Sequence, residues 1–188
     1  MSLSENLQKA LENVKENPKD EMITVKRTPT TSATEPITLE EVKLYCKIDY
    51  STDGALITEI IKAARVQAEQ FCNKSFIASD VEYFADSWES PVKLPYPEHD
   101  AITGIVVGGV PITDYGVVGT GQKILTLYSA YTNTGAVRGD LVVNYTTTGY
   151  ITDAEKLALK KIVYDMYESR INSLSDKHFM WLMPFKVY

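Results

Sequence analysis

The sequence predicts an α+β fold: a small α-helical bundle with an inserted antiparallel β-sheet or small sandwich. Three observations carry that prediction. Residues 38–73 and 152–172 repeat their apolar side chains at the helical period. Residues 79–148 alternate them at a period of two, between clusters of Gly, Pro, Asn and Asp. Two of the helical stretches open on a Thr-x-x-Glu capping box.

Taken in order, residues 1–36 read as an N-terminal arm and linker. "SENLQKALENVKEN" has a short amphipathic pattern in Leu7, Ala10, Leu11 and Val14, and "RTPTTSATEP" behind it is rich in Pro, Thr and Ser. Such an arm is either partly disordered or folded only against a neighbour. Residues 37–188 form the body. Its first helix, at about 38–48, starts on Thr38 with Glu41 three residues on, and Ile37 and Val42 are spaced as a hydrophobic staple. A second helix, at about 54–73, carries Leu56, Ile57, Ile60, Ile61, Ala64, Ala68 and Phe71 on one broad face, and at this length it runs roughly 28 Å.

The β insert follows at about 79–148, with "VEYFADSW", "VKLPYP", "ITGIVVGGVPI", "KILTLYS" and "DLVVNYTTTG" as short strands. A third helix at about 152–172 starts on Thr152 and Glu155 and turns Leu159, Ile162, Val163, Met166 and Tyr167 inward. Residues 173–188 are an apolar, aromatic tail in which Pro184 stops any helix. A chain terminus is usually where burial fades. These side chains therefore pack back on the protein's own sheet or dock into another chain, since Trp, Met, Phe and Tyr make interface anchors.

"DYGVVGTGQKI", residues 114–124, raises the question of a phosphate loop. Gly116 and Gly121 have the spacing of that loop, but Gln122 stands where its lysine belongs, and no Ser or Thr follows it. The following "ILTLY" alternates as a strand does, so no helix N-terminus is offered to a phosphate. The glycines are those of a hairpin or bulge loop.

The net charge of −6 is uneven. Residues 31–100 hold 13 Asp and Glu against 6 Lys and Arg, whereas residues 101–188 hold 7 against 8. Tight nucleic-acid binding needs clustered cations, which this balance withholds. No apolar run reaches the roughly 20 residues of a membrane span and the N-terminus lacks the apolar centre of a signal peptide, which predicts a protein kept in a reducing cytoplasm. Cys46 and Cys72 lie within helical patterns without C-x-x-C spacing and read as buried structural thiols. With His99 and His178 as the whole histidine complement, neither a metal site nor any other cofactor site is expected.

An enzyme would need a nucleophile, a base and an oxyanion or metal site. His99 and Asp100 are neighbours on a strand pattern and point to opposite faces, and Glu40-Glu41 suits a helix N-terminus without acid-base chemistry. No catalytic residue is assigned.

The order of these motifs resembles the head-tail connector proteins of long-tailed double-stranded-DNA bacteriophages, also called adaptor or head-completion proteins. "PITLEEVKLYCKID" and then Asp53 with "ALITEIIKAARVQAEQF" are similar to the family's opening helices. "VKLPYP", "VVNYTTTGY" and "YESR" match its later landmarks, and "LMPFKVY" resembles its ending. The likeness spans residues 36–188. It departs at Asn73-Lys74, where a Gly-Arg pair is usual, and at Phe185-Lys186, where Tyr-Arg is usual.

The resemblance implies a structural virion protein of the connector between capsid and tail, assembled in the bacterial host cytoplasm. It would form a homo-oligomeric ring, a dodecamer among its closures, that sits under the portal protein and extends the DNA channel. A downstream head-tail stopper or tail-completion protein would be its other partner, DNA would pass close by without specific binding, and no membrane is involved. On that reading Trp181, Met183, Pro184, Phe185 and Tyr188 are interface residues, and Asp80, Glu82, Asp86 and Glu89 face the channel, where an acidic wall lets DNA slide. The alternative is a non-enzymatic β-rich module binding a peptide or carbohydrate through Tyr83, Phe84, Trp88, Tyr96, Tyr115, Tyr128 and Tyr131.

Overall fold

Thr38 starts the first helix by reciprocal hydrogen bonding. In the computed structural model of the protein, which describes residues 22–49, 52–86, 88, 90–96, 99–119, 123–128 and 140–187, the Glu41 amide donates to the Thr38 hydroxyl at 3.1 Å. The Thr38 amide donates to the Glu41 carboxylate at 2.9 Å. Two donors that the helix cannot satisfy internally are thereby paired, and Ile37 and Val42 are buried beside them. Helix α1 (Leu39–Cys46) ends on a left-handed Lys47. Helix α2 (Gly54–Cys72) ends on a left-handed Asn73, and helix α3 (Asp153–Ser169) opens on the Thr152–Glu155 box. Helix α4 (Asp176–Leu182) leads into a 3₁₀ turn, Met183–Phe185.

Ile57, Ile61, Ala64, Ala68 and Cys72 of α2 meet Leu159, Ile162, Val163 and Met166 of α3 in one buried cluster. All five inward positions expected on α3 are buried. At about 1.5–3 kcal/mol for each large aliphatic side chain buried, this cluster is what makes the helices stay together.

The strands are β1 (Ile23–Pro29), β2 (Ser79–Ala85), β3 (Val92–Leu94), β4 (His99–Val107), β5 (Val110–Pro111), β6 (Tyr115–Val118), β7 (Lys123–Leu127) and β8 (Leu141–Thr147). They form a five-stranded sheet in the order β1-β2-β8-β4-β5 and a three-stranded sheet in the order β3-β7-β6, with every pairing antiparallel. Val81, Tyr83, Ile105, Val107, Leu141, Val143 and Tyr145 of the first face Val92, Leu94, Leu125 and Leu127 of the second across a shared core. The α+β class holds: among the described residues there are four α-helices and two antiparallel sheets, the sheets packed as a small sandwich.

Three elements differ from the sequence expectation. Residues 23–29 of the presumed arm are strand β1, registered along β2 from Ile23↔Ala85 to Pro29↔Ser79, so the arm joins the sheet before residue 36. The tail contains a helix because Ser175 caps it through His178 and because Pro184 falls in the first turn of the 3₁₀ segment, where its missing N–H costs nothing. Gly116 lies in β6, which pairs back on β7; the phosphate-loop candidate is a hairpin, and its Gly121 and Gln122 lie outside the described residues.

Gly149 lets β8 turn into α3. Its φ is +72°, and a Cβ there would fall on the backbone of Ile77 and Ala78. Gly149→Ala is therefore expected to cost roughly 1–3 kcal/mol, seen as a lower urea midpoint with an unchanged slope.

Candidate functional site

The assembly role that the resemblance implies would rest on surfaces, and those surfaces keep their relation only if the helices and the sandwich are held together. The junction is made by two buried ion networks. Glu69 on α2 is fully buried; one carboxylate oxygen accepts from the Phe76 amide at 2.7 Å, and the other accepts from Arg65 at 2.8 Å and from Arg27 of β1. Arg65 in turn donates to both oxygens of Glu35, at 2.7 and 3.1 Å. The Arg27 guanidinium also lies over the Tyr96 ring, 5.1 Å from its centre. Strand β1 and helix α2 thus meet on one carboxylate, and the segment before α1 and the loop after β3 join it through Arg65 and Arg27.

The second network sits at the Asn73-Lys74 departure. Asn73 adopts φ +52° at the helix C-terminus, a conformation that Asn tolerates better than most residues. The Lys74 ammonium reaches the buried Glu155 carboxylate at 2.6 Å, and Glu155 simultaneously caps α3 through Thr152. A residue that permits the turn and a cation that holds α3 are thus both kept at the substituted pair.

The tail packs on helices, not on the sheet as one sequence reading had it. Leu182 and His178 are fully buried, Phe179 stacks against Phe71 with ring centres 4.8 Å apart, and the Val187 amide donates to the Cys72 carbonyl at 2.9 Å. His178 Nδ1 accepts from the Ser175 amide at 2.9 Å, which leaves Nε2 carrying the proton that meets Asp165 at 2.7 Å. The Lys177 ammonium hydrogen-bonded to Asp165 holds that carboxyl below its ordinary value; partial burial opposes this and His178 assists. A depressed carboxyl stabilises the fold above its unfolded value near 3.8 and loses that contribution as pH falls through the folded value. Asp165→Asn is expected to flatten the acid limb of a stability-versus-pH curve below about pH 4, with little change in that limb's shape above it.

The interface residues expected from the sequence divide. Met183 and Pro184 are exposed, Trp181 and Phe185 are half-buried against the helical core, and Tyr188 lies outside the described residues. Met180, which the sequence reading did not single out, is 74% exposed beside them. Asp80 and Glu82 project from the outer face of β2, opposite Thr28 and Lys26 of β1 and Thr146 and Asn144 of β8. They line a concavity of about 300 Å³ with Lys26, Thr103 and Asn144, so a cation sits directly across from the acid. Asp86 is exposed and accepts from the Met22 amide, and Glu89 lies outside the described residues.

A second opening, about 410 Å³, runs between α2 and α3 along Leu56, Ile60, Ala63, Met166 and Ile171. The aromatics suggested for a ligand-binding module do not converge. Tyr83 and Trp88 are core, Tyr96 and Tyr115 pack on it, Tyr128 is exposed, and Tyr131 lies outside the described residues.

Burial pushes the Cys72 thiol up to about 11, and its Sγ donates toward the Leu182 carbonyl. Cys46, half-buried, is also raised by desolvation. Neither is poised as a nucleophile at neutral pH. Among the described residues no group of three or more His, Cys, Asp and Glu is placed to hold a metal, and no helix is long and apolar enough to cross a membrane.

Comparisons with known proteins agree on one architecture. Residues 36–105 match the family model described as phage gp6-like head-tail connector protein. A chain in the neck of an empty gene transfer agent particle, computed with C6 symmetry, superposes with a TM-score of 0.66 at 14% identity, covering 87% of this chain and 96% of that one. A chain of the virion of the native gene transfer agent particle gives 0.66 at 13%, covering 86% and 95%. A chain of the native neck, computed with C12 symmetry, gives 0.62 at 14%, covering 87% and 96%. No curated protein matches the sequence. The likeness drawn from motif order is borne out: over residues 36–105 the chain is similar to the phage gp6-like head-tail connector family, and its fold is one found in particle necks.

Proposed function

We propose that the protein is a structural head-tail connector subunit, non-enzymatic, that closes into a ring under the portal, extends the DNA channel and links head to tail. The observation that supports this most is the near-complete correspondence of the chain with neck subunits, 87% of one and 96% of the other, around a connector-family segment. Necks computed with C6 and C12 symmetry favour a closed rotational ring, with a dodecamer as the expected closure. Such a ring needs two unlike faces on each subunit. The exposed Met183 and Pro184 with Trp181, Phe185 and Tyr188 are assigned to one of them, toward the portal or a neighbouring copy. Asp80, Glu82, Asp86 and Glu89 are assigned to the channel. The downstream partner is a stopper or tail-completion protein, and the ring is put together in the host cytoplasm before it becomes part of the virion.

Native mass spectrometry and light scattering across a concentration series test the ring. Discrete species of a fixed high copy number are expected. A chain that stays monomeric at every concentration, alone and with isolated portal rings, would count against it. The channel assignment has its own test: Asp80→Lys with Glu82→Lys should raise the ring's affinity for duplex DNA and make it fall steeply with salt, and an unchanged affinity would place those residues elsewhere.

A further inference from the structure

Leu44 is 83% exposed, more than any other large apolar side chain among the described residues, although α1 buries Val42 two positions earlier. Glu40 lies four residues before it and Lys47 three after, both exposed. Residues at these spacings share a helix face. Helix α1 thus presents an apolar knob with an acid at one end and a base at the other, roughly 10 Å apart along the axis.

Helix α2 presents the matching hollow. Beside its core face it carries a second apolar row, Leu56, Ile60 and Ala63, which Gln67 and Phe71 continue at four-residue steps. The tail covers only the far end of that row. Gln67 donates to the Asn172 carbonyl at 3.0 Å and accepts from the Leu174 amide at 2.8 Å, and Phe179 stacks on Phe71. The near end, with Met166 and Ile171 across from it, is the open groove of about 410 Å³ between α2 and α3, where Leu56 is 42% exposed. A helix apolar on two faces is ordinarily covered on both. Glu59 and Arg170 also line this groove, and the exposed i,i+3 bond from Lys62 to Glu59 binds that carboxylate only weakly.

Knob and hollow lie on opposite sides of α2. Its Gly54 abuts α1, since a Cβ there would stand 3.4 Å from Leu39 and 3.9 Å from the Lys43 ammonium. Gly54 and Leu56 point about 160° apart around the helix. A chain therefore cannot fill its groove with its own α1, but a second copy can. Because each copy carries the two faces on opposite sides, the contact repeats head to tail instead of closing on a two-fold axis. The tail stands at the covered end of the groove, so its exposed Met180 extends the same side of the subunit.

We propose that α1 of each copy enters the α2–α3 groove of the next, a contact that rests on the ring reading above. Leu44 seats against Leu56, Ile60, Ala63 and Met166, with Glu40 toward Arg170 and Lys47 toward Glu59. The reverse direction of α1 would set like charges together, so the charges fix how it lies in the groove.

The experiment treats the full chain carrying Leu44→Cys, Ala63→Cys and Cys46→Ala with a short bismaleimide and maps the bridged peptides. The expected result is a ladder of covalent multimers joined from residue 44 of one copy to residue 63 of the next. Leu44→Glu alone should keep the parent's unfolding midpoint, because the side chain is exposed, and should cut the yield of rings in native mass spectrometry at least about tenfold. Rings without the 44-to-63 bridge, or rings formed equally well by Leu44→Glu, overturn this contact and leave the ring reading standing. Bridges between two copies of residue 44 overturn the head-to-tail order. A parent chain that stays monomeric at every concentration, alone and with isolated portal rings, overturns the ring and this contact with it.

Discussion

Glu69→Ala is expected to cost about 3–5 kcal/mol of stability, because it leaves two buried guanidinium groups facing a cavity where their common carboxylate had been. Arg65 keeps Glu35, but Arg27 keeps only the Tyr96 ring, and the Phe76 amide loses its acceptor. A typical domain has about 5–15 kcal/mol in total, so the variant should be marginally folded at best. Urea denaturation followed by far-ultraviolet circular dichroism measures the loss. Arg27→Met is expected to be milder, about 1–2 kcal/mol, since Glu69 retains Arg65 and Phe76 and since Arg27 carries one guanidinium nitrogen with no hydrogen-bond partner even in the parent. If Glu69→Ala matched Arg27→Met, the shared carboxylate would not be what joins the sandwich to the helices.

What the sequence disclosed about this fold divides along the range of the interactions. The capping boxes at Thr38 and Thr152 and the apolar faces of α2 and α3 are signals carried within a few residues, and the structure has them where they were expected. Strand β1 was not legible, because "ITVKRTP" carries Arg27 on its core face and its partner β2 begins fifty residues later. The Lys74–Glu155 pair spans 81 positions, and nothing in either neighbourhood names the other. Arg65 and Glu69 did leave a trace, an opposite-charge i,i+4 pair flanking the apolar stripe of α2, which periodicity alone assigns to solvent. The candidate surfaces were partly legible for a similar reason. Composition marks Trp181, Met183 and Phe185 as anchors, but how much of each is covered depends on α4, a helix of seven residues and too short for its period to be read.

That cover changes what removal of the tail would do. Deleting residues 173–188 is expected to cost at least about 3 kcal/mol, because it strips Leu182 and His178 from the core, unstacks Phe179 from Phe71 and leaves Asp165 without both of its hydrogen-bond donors, Lys177 and His178. Cys72 reports the event directly. Its thiol, pushed up by burial and covered by Leu182 and Val187, should resist a maleimide near pH 7 in the parent and react readily in the truncated chain. Loss of rings on truncation would therefore not by itself assign the tail to an interface. Met180→Lys with Met183→Lys separates the two roles, since these side chains are 74% and 50% exposed and surface changes of this kind usually stay within about 0.5 kcal/mol. The double variant is expected to keep the parent's unfolding midpoint and its slow Cys72 labelling while losing ring assembly, read by native mass spectrometry. Rings that form normally from a stable double variant would confine the tail to holding α2 and α3 together and move the docking face elsewhere.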